Sequence, residues 1–396
     1  MTDRPTEQRR VLIYVQHLLG SGHLRRAAIL ARALASTIAD VRIASGGLPV
    51  PDLAIGAATL EQLDPLRCER DDFSALTDAA GAPVDDAFKA RRRDRLLALL
   101  EETRPNALIV EMFPFGRRQM RFELLPLLER ARAMRQRPLI VCSVRDILQT
   151  GRKPARIAEA ADWAETFFDQ ILVHGDPALA RFEETFPPAD RFADRIHYTG
   201  YLAPEPPSAA RPGDPGWDEV VVSAGGGAVG AALMRAAIDA RPQSRLTGKT
   251  WRLLTGHAIE PAARAALDRA ATDGGGGIVI EESRADFLSV LAASAVSVSQ
   301  GGYNTVADIL SAGARAVIVP FAAGGETEQT LRAERLAARG RAVMLAEDRL
   351  EPSRLAKAID AAATMSPGRS PVDLGGANTS LRLLRGWLKS HDGDHG

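Results

Sequence analysis

The sequence predicts an α/β protein made of two parallel-sheet domains. Two observations carry that prediction. Short apolar runs rich in β-branched residues alternate with amphipathic helical runs, the pattern of a parallel sheet with helices on both faces. Midway, residues 202–217 read LAPEPPSAARPGDPGW, too dense in proline and glycine for a helix or a central strand. This run is expected to be a linker between a first domain, 1–201, and a second, 218–375. A closing segment, 376–396, carries a helix that can pack back on the first domain. The length of 396 residues suits two domains better than one.

The elements follow in order. VLIYV (11–15) is a strand, and AAILARALA lies in a helix over 25–34. VRIAS (41–45) is the next strand, followed by a helix over 86–102. ALIVEM (107–112) reads as a buried strand, then a helix over 123–135, then the strands in PLIVCSVRD (138–146) and DQILVHG (169–175). A second alternation begins after the linker. EVVVSAG (219–225) leads to a helix over 231–239, then WRLLTG (251–256), GIVIEE (277–282) and an apolar run over 287–299. A helix over 305–312, the strand in AVIVPF (316–321) and a last helix over 378–389 complete the chain.

Composition excludes several classes. Formal net charge is +0, so no bulk field favours nucleic acid or an anionic membrane, and no nucleic-acid partner is expected. The two cysteines, Cys68 and Cys142, stand in no metal-ligand spacing and make no disulfide framework. The opening MTDRPTEQRR has no apolar core of a signal peptide. The run 287–299 is too short and too serine-rich to span a bilayer. A cytoplasmic protein is the expectation, with peripheral contact at the inner face of a membrane left open.

Four stretches carry chemistry. VVVSAGGGAVG (220–230) runs a strand into three glycines, Gly225, Gly226 and Gly227, and then a helix. Backbone N–H groups and a helix N-terminus cradle a diphosphate; the plain alternative is a flexible βα turn. No GxGxxG and no acidic end to the next strand speak for NAD. SQGGYNTVADILSAG (299–313) places Gly301 and Gly302 before a helix that Asn304 or Thr305 can cap. Asp308, about one turn in, can accept two hydrogen bonds from a ribose diol or serve the helix dipole. GGETEQTLRAERLAARG (324–340) opens another helix with Glu328 and Gln329, either ligand contacts or a solvated face. QHLLGSGHLRR (16–26) puts Gly22 and His23 on the first strand-to-helix corner.

The first domain adds more strand-end residues. EMFPFGRRQMRFE (111–123) presents Glu111 at a strand end with Arg117 and Arg118 beyond it. SVRDILQTGRK (143–153) presents Arg145 and Asp146. The arginines suit a phosphate or carboxylate, and a solvated basic face is the alternative. Glu111 and Asp146 are rival general bases.

Residues 219–350 resemble the C-terminal, nucleotide-sugar-binding domain of glycosyltransferase family 28. The best-known member is the bacterial transferase that adds N-acetylglucosamine to lipid I. The likeness lies in SAGGG, in SQGGYNTVADILSAG followed by VIVPF, and in ETEQ, and it covers about a third of the chain. It implies a GT-B fold, two Rossmann-like domains facing across a cleft. It implies that Ser223 and the loop at Gly225, Gly226 and Gly227 bind the diphosphate, and that the block from Gly301 to Asp308 holds the ribose through Asp308. Backbone groups near Glu282 and Ser283 would hold the base. The family's Gln pair, which contacts the donor sugar, reads Glu328-Gln329 here, which puts the sugar in doubt. GSGH resembles the N-terminal loop of the same superfamily, and that of related nucleotide-sugar hydrolases. His23 then acts as general base on an acceptor hydroxyl or on water, or bonds the donor; a helix cap or a packed core histidine is the alternative.

The expected activity is therefore transfer of a sugar from a nucleoside diphosphate donor, with UDP first in line, to a sugar or lipid-linked hydroxyl acceptor. His23 and Glu111 are the catalytic candidates, and Arg117, Arg118 and Arg145 the acceptor-binding ones. No metal and no cofactor are expected, because the nucleotide sugar is itself a substrate, and the family likeness implies inversion. A nucleotide-sugar hydrolase or 2-epimerase on the same fold is the alternative, and a non-catalytic binding module a further one.

Overall fold

A computed structural model describes the chain except residues 1–8, 38, 52, 69–74, 225–229, 257–258, 367, 369–370 and 394–396. The chain divides into two units. The first comprises 1–177, 181–202 and 375–396, the second 178–180 and 203–374.

The first unit contains β1 (Arg9–Val15), α1 (Gly22–Ala35), β2 (Ala39–Ser45), β3 (Thr59–Gln62), and a short antiparallel pair, β4 (Arg67–Cys68) and β5 (Leu76–Thr77). Then come α2 (Asp86–Thr103), β6 (Ala107–Glu111), α3 (Arg121–Ala133), β7 (Leu139–Arg145), α4 (Pro154–Phe167), β8 (Gln170–His174) and β9 (Ile196–Tyr198). Seven strands form one parallel sheet in the order β3-β2-β1-β6-β7-β8-β9. Strand alternation explains why the runs are apolar throughout. Leu12 and Tyr14 face one core with α2 and α3, whereas Val11, Ile13 and Val15 face another with α1.

The second unit contains β10 (Val220–Ser223), α5 (Ala231–Ala240), β11 (Trp251–Thr255), α6 (Pro261–Asp273), β12 (Ile278–Glu282), α7 (Phe287–Ala293) and β13 (Val296–Ser299). It continues with α8 (Tyr303–Ala312), β14 (Ala316–Ile318), α9 (Glu328–Ala338), β15 (Val343–Met344) and α10 (Pro352–Ala363). Its parallel sheet runs β12-β11-β10-β13-β14-β15. Trp251, fully buried, anchors a core with α5, α6 and α10. Among the described residues, no helix is long and apolar enough to cross a membrane.

Two local outcomes differ from the sequence reading. The apolar run 287–299 splits into α7 and β13, with Ser294 and Ala295 between them. Most of the proline-rich run belongs to the second unit and is tied down. The Ser311 hydroxyl donates to the Pro204 carbonyl at 2.8 Å, and the Asp218 N–H donates to Ala293 at 3.0 Å. Gly216 sits at φ 86°, where a Cβ would come within 2.6 Å of the Val290 carbonyl. Proline bars helix and strand here without making the run a free tether.

The last helix, α11 (Gly376–Gly393), belongs to the first unit, with Leu384 and Leu388 in the same core as Val11 and Leu34. Its start is tight: a Cβ on Gly376 would lie 2.5 Å from the Tyr201 carbonyl and 2.7 Å from that of Gly200. Both are backbone atoms and cannot rotate away. Gly376→Ala should therefore destabilise the first unit by about 1–3 kcal/mol, read as a lower urea midpoint by tryptophan fluorescence. An unchanged midpoint would mean that α11 docks without this close approach.

Candidate active site

In a doubly wound sheet, ligands sit beyond the carboxyl ends of the strands, where the strand order reverses. The first sheet reverses between β1 and β6. Glu111 ends β6, and His23 lies in the first turn of α1, which begins at Gly22 rather than at residue 25. His23 Nδ1 is 2.8 Å from Glu111 Oε2 and 3.0 Å from Oε1. Arg26, one turn along α1, pairs with Glu111 Oε1, and its Nη2 lies 3.2 Å from His23 Nδ1. Arginine is always charged, so both nitrogens direct hydrogens at the carboxylate. Nδ1 then carries the imidazole proton, and Nε2 is the basic nitrogen.

Electrostatics agree with that tautomer. Burial and the Arg117 charge push His23 down to about 3, against the pull of Glu111. Burial alone would raise Glu111, but His23 and Arg26 beside it bring it down to about 2. The pair is neutral imidazole and carboxylate near pH 7. Arg117, in the left-handed region at φ 59°, donates from Nε to the Gln16 carbonyl at 2.8 Å. Burial lowers its pKa, Glu111 opposes that, and Arg145 at the end of β7 adds to it. Arg118 is not brought here: its Nε pairs with Glu159 at 2.5 Å on the surface. Asp146 is no free base either. It is buried, takes the Tyr201 hydroxyl on Oδ2, and accepts from the Ile147 N–H at 2.9 Å.

The sequence places His17 in a structural role and His174 at a strand end, but it assigns nothing to one support of the site. Arg26 had no assigned role, although its spacing of one turn from His23 puts both on one helix face. His174, fully buried, lies 2.9 Å from both Ser143 Oγ and Thr199 Oγ1, and burial pushes its pKa down to about 3. His17 is also buried, with Nε2 3.0 Å from the Leu48 carbonyl. Burial lowers its pKa too.

The second sheet reverses between β10 and β13. Ser223 and Ser299 end these strands side by side in register, both buried, and neither hydroxyl has a hydrogen-bond partner among the described residues. Gly225, Gly226 and Gly227 lie outside the described residues. Gly230, which caps α5 after them, stands where a Cβ would fall 1.9 Å from that of Ala224. Gly301 and Gly302 follow β13. Gln329 Oε1 accepts from the Gly301 N–H at 2.9 Å and from the Phe321 N–H at 3.2 Å. Arg332 Nη1 donates to the Gly301 carbonyl at 3.1 Å, and Nη2 pairs with Glu328 at 2.9 Å. Among the described residues, no three His, Cys, Asp or Glu side chains are grouped to hold a metal ion.

Residues 221–371 match the family model described as the glycosyltransferase family 28 C-terminal domain. The fold of the whole chain is GT-B, as three solved structures illustrate. The calicheamicin glycosyltransferase CalG4 is 16% identical, covers 97% of this chain and 95% of its own, and has a TM-score of 0.58. MurG of Acinetobacter baumannii is 14% identical over 95% of this chain and 99% of its own, TM-score 0.58. The spinosyn rhamnosyltransferase SpnG, solved with thymidine diphosphate, is 19% identical over 94% and 95%, TM-score 0.59. No curated protein matches the chain in sequence. Family model and structural neighbours together indicate a glycosyltransferase.

Within the matched residues, several expectations need correction. Asn304 and Thr305 do not cap α8, which starts at Tyr303 with Gly302 as its cap and no side-chain cap bond. Asp308 consequently lies beyond the first turn, which holds no acidic residue, so a helix-dipole role is excluded. Glu328 is 3% exposed and bound to Arg332, not presented on an open face. Glu282 is exposed at the end of β12, and the Ser283 N–H is engaged by the Thr255 carbonyl at 2.9 Å.

The buried histidines have a pH consequence. Unfolded histidine protonates near 6.5, whereas His23 and His174 do so near 3. Between these values the unfolded chain binds more protons, so stability falls on acidification. Glu111, lowered from 4.5 to about 2, acts in the same direction below pH 4.5. Each histidine contributes a slope of up to about 1.4 kcal/mol per pH unit. Urea midpoints should drop from pH 7 toward pH 4, and His174→Gln should flatten that slope by about one proton's worth. An unchanged slope would show that His174 is protonated in the folded protein.

Proposed function

We propose that the chain transfers a sugar from a nucleoside diphosphate donor to an acceptor hydroxyl, with UDP as the nucleotide, without a metal ion and with inversion. The observation that carries this reading is the neutral His23, its Nδ1–H held by Glu111, in a chain whose residues 221–371 match the family 28 C-terminal domain. An imidazole with one nitrogen fixed offers the other as a proton acceptor. In the step, the acceptor oxygen bonds to the anomeric carbon while His23 Nε2 takes its proton. The bond from that carbon to the diphosphate breaks, and the electron pair leaves with the diphosphate.

The N-terminus of α8 is suited to the leaving charge, and the glycine-rich sequence at 225–227, outside the described residues, is the second candidate. Asp308 takes the ribose, and backbone groups near Glu282 other than the Ser283 N–H, which Thr255 engages, take the base. Arg117 and Arg145 suit an acceptor phosphate or carboxylate. An anion beside Arg117 also offsets the charge that depresses His23, moving the imidazole back toward the range of a useful base. SpnG has been solved with thymidine diphosphate and with spinosyn aglycone. Those complexes support a nucleoside diphosphate donor and make dTDP the first rival to UDP. The acceptor is a sugar or lipid-linked hydroxyl. The site of action is the cytoplasm, at the inner membrane face where the acceptor is lipid-linked.

A thermal-shift screen against UDP, dTDP, GDP and CDP tests the donor half. A ligand at a hundred times its Kd stabilises the fold by about 2.7 kcal/mol. UDP should raise the melting temperature of the wild type and lose that effect in Asp308→Ala. No shift with any of the four would remove the transferase reading.

His23→Ala tests the chemistry. UDP release from UDP-sugars should fall by about 10²–10⁴-fold, with the UDP-induced melting shift unchanged and EDTA without effect on the wild type. Equal UDP release with and without acceptor would instead mark a hydrolase, and an altered sugar still on its nucleotide a 2-epimerase.

A further inference from the structure

The segment Glu328–Gln329 stands where the family likeness expects two donor-sugar contacts, yet its side chains are committed elsewhere. The carboxamide oxygen of Gln329 has two lone pairs, and the N–H groups of Gly301 and Phe321 approach it at 2.9 and 3.2 Å. Those residues belong to two different loops, one after β13 and one after β14. At the next peptide unit, Arg332 reaches the carbonyl of the same residue, Gly301, at 3.1 Å. Arg332 is fully buried, lies 5.6 Å over the Tyr303 ring, and is paired at 2.9 Å with Glu328 one turn back on α9. A Cβ on Gly301 would lie 3.0 Å from the Gln329 carbonyl, so loop and helix are already in close contact.

Gly301 therefore has both its N–H and its carbonyl bound by side chains of a single helix. A residue held at both groups cannot turn to serve another partner. The next residue, Gly302, caps α8, and no side-chain cap bond holds that helix start from within. What fixes the N-terminus of α8 against the ends of β13 and β14 is the grip of α9 on Gly301.

We infer that Gln329 and Arg332, with Glu328 steadying Arg332, are positioning residues that clamp the Gly301 loop, and that they act on the donor through that loop rather than by touching its sugar. The inference rests on the proposed donor site. It separates from a sugar-contact role through the part of the donor that each would affect. A sugar contact matters only when the sugar is present. A loop clamp matters equally to the bare diphosphate.

The test is calorimetric titration of the full-length protein with UDP and with UDP-glucose, for wild type, Gln329→Met, Arg332→Met and Glu328→Gln. Loss of a clamp bond should weaken UDP about tenfold in both methionine variants, and UDP-glucose by the same factor. Glu328→Gln, which keeps an acceptor oxygen for Arg332, should retain most of the affinity. Where Arg332→Met fails to fold, Gln329→Met decides alone, because it removes one neutral acceptor and leaves the buried charge pair in place. Wild-type UDP affinity in Gln329→Met, with only UDP-glucose weakened, would overturn the clamp and restore the sugar contact. Wild-type affinity for both ligands would overturn both roles. Absence of UDP binding to the wild type would instead bring down the UDP-donor reading, and this inference with it.

Discussion

Arg92 and Glu123 face each other inside the first unit, and neither side chain touches water. Removing two such charges from water costs several kcal/mol per ion, and attraction offsets this only where the remaining hydrogens and lone pairs find partners. Here they do. Glu123 receives Arg92 Nε at 2.6 Å, Nη2 at 3.0 Å and the Tyr14 hydroxyl. Arg92 also reaches the carbonyls of Gly46 and Asp64 and the side-chain oxygen of Gln16. One guanidinium on α2 thus ties together the chain leaving β1, the chain leaving β2 and the segment after β3. Apolar residues of equal volume can match a buried pair in stability. They cannot hold three loop ends in one register. Gly46 and Gly47 show how closely the loop fits. A Cβ on the first would meet Gln16 at 2.0 Å and on the second the His17 ring at 2.4 Å.

The second unit solves a related problem in the same way. Chain leaving a parallel strand carries backbone groups that the ladder no longer satisfies, and burial forbids leaving them unpaired. Arg332 meets one such carbonyl with a planar, preorganised donor set, and Glu328 balances its charge. In both units a buried arginine on a helix fixes the loop at the point where the strand order reverses. Residues that bind or react can then be borne on chain that does not have to order itself for each ligand.

The strands were legible because parallel strands are buried on both faces. VLIYV, ALIVEM and LIVCSV leave no other use for so many β-branched residues, and each became a strand. Helices α4, α6 and α10 were not read. Each opens with proline at its first turn, which looks like a break until the helix behind it is seen. The start of α8 misled because asparagine and threonine favour caps, whereas the tertiary grip on Gly301 placed the cap at Gly302. Among site residues, His23 and Glu111 were legible as strand-end chemistry. Their pairing was not, since 88 residues separate them. The commitment of Glu328 to Arg332 was written in an i, i+4 spacing, but that spacing is also the mark of an exposed ion pair, and only burial distinguishes the two.

Three carboxylate or imidazole groups lie near the carboxyl ends of β6 and β7, and they differ in which of their polar atoms are already engaged. Asp146 has one oxygen on Tyr201 and the other on a backbone N–H, so accepting a proton would break a bond already made. Glu111 is shared between His23 and Arg26, and the pull of both holds its affinity for protons far below the usual range. Both Glu111 oxygens are already engaged, Oε1 by Arg26 and both by His23 Nδ1. His23 differs in having two nitrogens. The contact with Glu111 occupies Nδ1 and, by fixing the proton there, leaves Nε2 with its lone pair. Arg26 keeps the carboxylate ionised, the carboxylate keeps the tautomer, and the tautomer leaves Nε2 unprotonated. The order of dependence runs from the most permanent charge to the most mobile proton, so each group can be fixed by the one before it.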